Sequence, residues 1–431
     1  MSTTTEPHRL WRNRRYLTWL VSDTSKGLAA SLFAFAIPLL ALIVTNDPAQ
    51  AGIIGGAGMV ARLLMTLAGG ILADRHRRIA LMLLGSLIGI VLAGGFTLLA
   101  LGDALTFGSL LVIDILLAAR SGLFDVAGES AIKEIVPDEA MGRAQAANQG
   151  RDAALQLAGG PIGGLLLGVG GWLVGVAMTV CHLVSAVTAW MLGREARRAG
   201  IVDAGAEDDG EPAPAVKPHA WAELREGFGW LMSRADLGGV LLIITIINLG
   251  FNAAITTVIY SLQQDGYPEV LIGGMTAAVG AVMLVGALIA PLLVPRVKAG
   301  ILAILGLSIV AAGAVALSMV TEPWAIVVVL GGAVLMLPAL NAGMMGYFMV
   351  ATPTHLLGRA NSAAGVLGMG ALPLAPLIAG FGLTWVGREW TLLVCAALCL
   401  VAVALALGNR ALRALPVESQ WTAHAKQYES A

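Results

Sequence analysis

The chain has 431 residues, 58% hydrophobic and 12% charged, with a formal net charge of −1 and a mean hydropathy of +0.83. Soluble domains carry about 25% charged residues, so this balance excludes an ordinary soluble globular protein and describes a polytopic membrane protein. The net charge says nothing about partners, because the charges are segregated by loop, and no nucleic-acid partner is expected.

A membrane helix needs about 20 apolar residues. Twelve such runs are predicted, at 16–45, 50–73, 79–101, 105–127, 141–168, 171–192, 238–261, 270–293, 299–320, 323–350, 360–385 and 389–409. Arg9, Arg12, Arg14 and Arg15 precede the first run, which is too long for the apolar core of a signal peptide and is expected to remain as a span. The second run stops at Asp74, and Gly70-Ile-Leu-Ala-Asp74-Arg75-His-Arg77-Arg78 forms a short basic loop before the third. Loops on this side collect further basic residues, such as Arg143, Lys298 and Arg359, whereas the opposite loops hold one arginine, Arg388. Cytoplasmic loops are the ones that gather Lys and Arg. Both termini are therefore expected in the cytoplasm, in a multi-pass protein of the cell membrane, the inner membrane where there are two.

A repeat divides the chain. Pro137-Asp-Glu-Ala-Met-Gly-Arg-Ala144 and Pro353-Thr-His-Leu-Leu-Gly-Arg-Ala360 share a Pro-x-x-x-x-Gly-Arg-Ala pattern, and each opens a glycine-rich helix. The expected organisation is a six-helix half over 1–193, a linker over 194–237, a second half over 238–410 and a tail over 411–431. Two parallel repeats about an axis along the membrane normal is a known transporter plan. The acidic stretch from Asp203 to Pro218 cannot bury a core and is expected to be disordered. Trp221, Leu224, Phe228 and Leu231 then recur at helical spacing, which predicts an amphipathic helix lying on the membrane surface.

Ionisable residues inside spans cost about 2.5–3.5 kcal/mol each on insertion scales, and here they concentrate in the first half. They are Asp23 and Lys26, Arg62, Asp114 and Arg120, then Arg151 and Asp152. Asp23 and Lys26, three apart, share a helix face. Asp114 invites two readings: a proton carrier alternating between settings that favour acid and anion, or a fixed ion pair with Arg62, Arg120 or Lys26. Asp23, Arg62 and Arg120 are candidates for the same proton-coupling group. Asp125 and Glu129, one turn apart, are placed to meet Arg75 or Arg78. The second half offers neutral Asn248, Asn252, Asn341 and Tyr347, expected to line a substrate cavity. His182 reads as a satisfied buried histidine. Cys181, Cys395 and Cys399 read as small buried hydrophobes. No phosphate-binding glycine loop, metal-ligand spacing or convergent catalytic set is present, so neither an enzyme nor a cofactor or metal site is expected.

The Gly-x-Leu-Ala-Asp-Arg-x-Gly-Arg-Arg signature of the major facilitator superfamily resembles the 70–78 loop, with Arg77 in its second glycine slot. Gly159-Gly160-Pro161-Ile-Gly163-Gly164 resembles the Gly-Pro-x-x-Gly-Gly motif of exporters in that family that run as antiporters. With Ala147-Asn148, the chain resembles the drug–proton antiporter subfamily that holds macrolide efflux pumps and the enterobactin exporter. The resemblance implies an all-α membrane protein with twelve transmembrane helices in two pseudo-symmetric six-helix halves. It implies gating by Asp74, Arg75, Arg78, Asp125 and Glu129, and proton-coupled efflux of an amphipathic or lipophilic small molecule by a monomer in the bilayer. Proton-coupled import of a small metabolite, with the same fold, and a non-transporting membrane protein are the alternatives.

Overall fold

The computed structural model describes residues 10–198, 220–234, 236–353 and 356–428. The expected disorder of 203–218 lies outside the described residues. Six helices come first: α1 (Arg14–Thr45), α2 (Pro48–Arg75), α3 (Arg78–Leu101), α4 (Phe107–Ala131), α5 (Asp138–Val169) and α6 (Gly171–Arg198). A short α7 (Ala220–Ser233) precedes α8 (Gly238–Gln264), α9 (Glu269–Leu293) and α10 (Ala299–Met319). The pairs α11 (Pro323–Val334) with α12 (Leu337–Ala351), and α13 (Leu357–Gly370) with α14 (Leu374–Trp385), follow. The chain closes with α15 (Gly387–Gly408), α16 (Arg410–Ala414) and α17 (Trp421–Lys426).

Each predicted span is present to within a few residues. Eleven of them, counting each pair once, are long and apolar enough to cross a membrane. The twelfth, α4, has 25 residues, about 37 Å at 1.5 Å per residue. It carries Asp114, Arg120, Asp125 and Glu129. Its start is fixed by a capping box, in which Thr106 Oγ1 accepts from the Ser109 amide and Ser109 Oγ from the Thr106 amide.

The tenth and eleventh spans were expected to be continuous, and both are broken. Leu335 and Met336 interrupt one, just before Pro338; Ala371–Pro373 interrupts the other. Proline lacks the amide that an α-helix needs in its interior. In the second break the Ala371 and Leu372 amides both turn to Met369 O, which takes the helical donors from the carbonyls of Leu367 and Gly368. Thr245 Oγ1 donates to Leu367 O at 2.8 Å and Asn248 Nδ2 to Gly368 O at 3.4 Å, so polar side chains of α8 satisfy the break.

The chain forms two compact units. The first holds 1–46, 57–212 and 268–274, and the second 47–56, 213–267 and 275–431. These bounds differ from the expected halves: each unit includes a short opening stretch of a span that the sequence assigns to the other half. Within the first, α3 packs on α6 and α1 on α5 and α6. Gly164 and Gly160 of α5 lie against the start of α9, with the carbonyl of Glu269 and with Gly273. Within the second, Gly380 of α14 lies against Pro48 and Gly52 in the same way. A Cβ on Gly273 would stand 3.4 Å from Gly164 Cα, and one on Gly52 3.2 Å from Gly380 Cα. Residues 164 and 380 differ by the 216-residue offset of the repeat.

The end of the second unit that carries α7 is closed by a polar knot. Arg234 Nε and Nη2 donate to the two oxygens of Asp236 at 2.9 and 2.8 Å. Tyr347 OH donates to Asp236 Oδ2 at 2.5 Å. Asp236 and Tyr347 are wholly buried, and burial alone would raise the Asp236 carboxyl. The Arg234 and Tyr347 hydrogen bonds outweigh that and hold it below the usual carboxylate range. Tyr347 is therefore a buried structural hydroxyl, not part of a cavity wall. The tail folds over the knot, with Trp421 and Ala425 buried and the Tyr428 ring 5.8 Å from the Arg234 guanidinium. The amphipathic helix is present, but its apolar residues diverge. Leu231 is buried and Phe228 is 42% exposed, while the side chains of Trp221 and Leu224 lie outside the described residues.

Candidate functional site

The charged residues of the first unit form one connected network. Asp23 of α1 is held by Lys26 Nζ at 2.9 Å and by Arg151 Nη1 of α5 at 2.8 Å. Lys26 also reaches Asp125 of α4 at 3.5 Å. Asp125 meets Arg120 at 3.4 Å and accepts from Ser121 Oγ at 2.5 Å. Arg120 donates to Gly85 O at 3.3 Å, and its Nη1 lies 3.4 Å from His182 Nδ1 of α6. Arginine only donates, so this contact makes Nδ1 the acceptor and supports the reading of His182 as a satisfied buried histidine. Arg151 further pairs with Asp152 at 2.7 Å. Three cations, Lys26, Arg120 and Arg151, thus face three carboxylates, Asp23, Asp125 and Asp152.

Two small details make room for this network. A Cβ on Gly128 would stand 2.7 Å from Lys26 Nζ and 2.8 Å from Asp23 Oδ1. Trp19 Nε1 donates to Gly128 O at 3.0 Å, and the Arg151 guanidinium lies 5.7 Å from the Trp19 ring centroid. Neither Gly128 nor Trp19 was singled out from the sequence. An unpatterned glycine one residue before Glu129 carries no signal of its own there.

Asp114 stands apart. It is 4% exposed, its Oδ2 has no hydrogen-bond partner, and among the described residues it has no ion pair. The expected pairing with Arg62, Arg120 or Lys26 is therefore absent. Arg120, six residues and about 9 Å further along α4, is engaged instead by Asp125, Gly85 O and the His182 ring. The carboxylate instead lies against Gly58 of α2, where any Cβ would collide with it. Arg62 is exposed and makes no ion pair among the described residues.

The expected gating contacts are rearranged. Asp125 turns inward to Lys26 and Arg120 rather than to Arg75 or Arg78. Arg78 pairs with Glu134, just beyond α4, at 3.0 Å. Glu129 and Arg75 are exposed, without an ion pair among the described residues, and the side chain of Asp74 lies outside them. In the loop motif, nothing lies within 4 Å of a Cβ placed on Gly70, so this glycine is not used for close helix approach. Its neighbour Gly69 is, against the carbonyls of Gly122 and Leu123. In the α5 motif, Gly159 meets Ser31 and Gly163 meets Phe35 of α1, while Gly160 and Gly164 meet the start of α9. Pro161 is accommodated inside the helix. Of the other cavity candidates, Asn248 serves the helix break, Asn252 is exposed and donates to Asn248 O, and Asn341 is exposed.

Eleven helices long and apolar enough to cross a membrane, a half-chain repeat and a charge network within one unit point to a duplicated helical membrane protein. Residues 24–372 match the Major Facilitator Superfamily profile. The chain belongs to the major facilitator superfamily. It is 28% identical over 405 residues to the enterobactin exporter EntS of Escherichia coli O127:H6 (strain E2348/69 / EPEC), covering 86% of this chain and 89% of the relative. Its fold matches a bacterial homologue of the iron transporter ferroportin in the inward-facing state, with TM-score 0.70, 15% identity and coverage of 92% and 98% of the two chains. It also matches the nucleoside transporter NupG, with TM-score 0.64, 12% identity and coverage of 91% and 100%. The protein is a multi-pass membrane transporter of this superfamily, with an exporter among its relatives.

Proposed function

We propose that this transporter exports an amphipathic or lipophilic small molecule in exchange for protons, by alternating access, with Asp114 as the proton carrier. One observation carries the reading. The network of Asp23, Lys26, Asp125, Arg120, Arg151 and Asp152 balances its own charge, whereas Asp114 is buried with no ion pair among the described residues. A proton is the charge that neutralises such a carboxyl, and losing it to one side of the membrane requires the pocket to open to water. The balanced network then acts as scaffold, tying α1, α4 and α5 into one moving body. Arg62, exposed on α2 one turn after Gly58, is the cation that this reading assigns to displace the proton. The export direction is supported by the similarity to an exporter and by the glycine seam of α5. The gathering of basic residues in the loops of one side supports a cytoplasmic location for both termini in a cell-membrane protein. Asp74, Arg75 and Glu129 remain gate residues in this reading, with Arg78 and Glu134 as the closing pair.

The test uses everted membrane vesicles acidified inside by respiration, with acridine dye quenching as the pH readout. Adding erythromycin, rhodamine 6G or a catecholate siderophore that is a cargo should release protons and restore fluorescence in wild type but not in Asp114→Asn. A cargo whose uptake into the lumen is driven by lumenal alkalinity instead would favour import.

A further inference from the structure

The charged pair of α5 does more than complete the network. We infer that Gln145, Gln149, Asp152 and Gln156 form the cargo-contacting strip of the first unit, and that it selects cargo bearing a cationic or otherwise hydrogen-bond-donating group. At 100° per residue, these four side chains fall within about 60° of one another around α5 and extend about 17 Å along it. All four are exposed, although they lie in Arg143–Val169, a helix long and apolar enough to cross a membrane. The far side of the same helix, about 180° away, presents Ala154, and the later turns expose Ile162, Leu165 and Val169.

A carboxylate and three amides in one file cannot face hydrocarbon without losing the hydrogen bonds of water. A file of this kind belongs to a wet path. Its only charge is Asp152, whose side chain is 54% exposed. Arg151 Nε and Nη2 both donate to Asp152 Oδ1, at 3.0 and 2.7 Å. Among the described residues no donor reaches Oδ2, which is open to accept from a solute. Arg151 is itself shared with Asp23 at 2.8 Å, so its charge is divided between two carboxylates and Asp152 keeps net negative character. The amides of Gln149 and Gln156 flank it one turn away on each side and can donate or accept. An ammonium or hydroxyl at the polar edge of an amphipathic cargo matches this set, and a carboxylate or phosphate does not. The inference deepens the transport reading by naming the chemistry of the cargo, and it does not depend on which carboxyl carries the proton.

The test needs no known cargo. Cysteine is placed at Gln149, Gln156 or, as reference, Ala154 in the full-length protein with Cys181 replaced by alanine; native Cys395 and Cys399 are buried. Each variant is reacted in membranes with cationic 2-aminoethyl methanethiosulfonate and with anionic 2-sulfonatoethyl methanethiosulfonate. Relative to free thiol, the cationic reagent should react about tenfold faster than the anionic one at Gln149→Cys and Gln156→Cys. Asp152→Asn should remove that preference and Asp152→Glu should restore it. Ala154→Cys should be poorly reactive toward both. Failure of both reagents at 149 and 156, equal rates, or an anionic preference would each overturn the inference. Asp114→Asn should leave the ratio unchanged whatever it does to proton-driven transport, so the two readings fail separately.

Discussion

Gly58 and Asp114 are the pair on which the chemistry is most exposed to a single methyl group. Gly58→Ala places a Cβ where the Asp114 carboxylate now lies, and the side chain must leave its pocket. Proton-driven transport is expected to fall about tenfold or more, with normal insertion, as measured by transport assay and membrane quantification. Lys26 has the opposite role, bridging two carboxylates that each retain an arginine. Lys26→Met should lower stability by about 3 kcal/mol, the range for breaking a buried pair, and Lys26→Met with Asp23→Asn should recover part of it in detergent melts. At this scale the charges themselves were legible, because each interrupts an apolar run. Their partners were not: Asp125 could be read toward the loop or toward Lys26, and helical spacing alone does not choose. Gly58 and Gly128 were invisible because a glycine's use is set by the side chain of another helix.

Helices and their joints hold the next set of expectations. Gly164 packs against the carbonyl of Glu269, a backbone atom that cannot step aside, whereas Gly70 faces open space. Gly164→Val should abolish transport or folded protein, and Gly70→Ala should leave transport within about twofold, consistent with a surface substitution. The Arg234–Asp236–Tyr347 knot makes a pH prediction. The Asp236 carboxyl is held low in the folded state, so its stabilisation is complete above the unfolded value, about pH 4, and is lost as pH falls through the folded one. Melting curves between pH 7 and 3.5 should show the difference between wild type and Asp236→Asn shrinking at the acid end. Hydropathy and loop charge were enough to find all twelve helices, eleven of which have the length and apolar content that the bilayer demands. The two breaks were passed over because a run stays apolar across a broken turn. Pro338 and Pro373 were visible, but proline is tolerated within membrane helices and does not by itself mark an interruption. Tyr347 was misplaced for a related reason: its partner Asp236 lies just outside a span, in a stretch read as linker.

The whole molecule is a duplicated scaffold with unequal halves. The repeat at Pro137 and Pro353 was enough to predict two units, and the 216-residue offset reappears in Gly164 and Gly380. The exchange of 47–56 and 268–274 between the units was not legible, since helix order in sequence does not report which neighbours a helix end meets. Duplication explains the scaffold, and divergence explains the work: the first unit carries its ion pairs inside the spans, whereas in the second Thr245 and Asn248 satisfy a helix break and the buried Arg234–Asp236 pair lies between helices. The central claim is that Asp114 couples protons to a conformational cycle that otherwise runs without it. Reconstituted Asp114→Asn protein should therefore retain cargo–cargo counterflow at near wild-type rate while losing cargo movement driven by an imposed pH gradient. Gradient-driven transport at the wild-type rate in that variant would contradict the account.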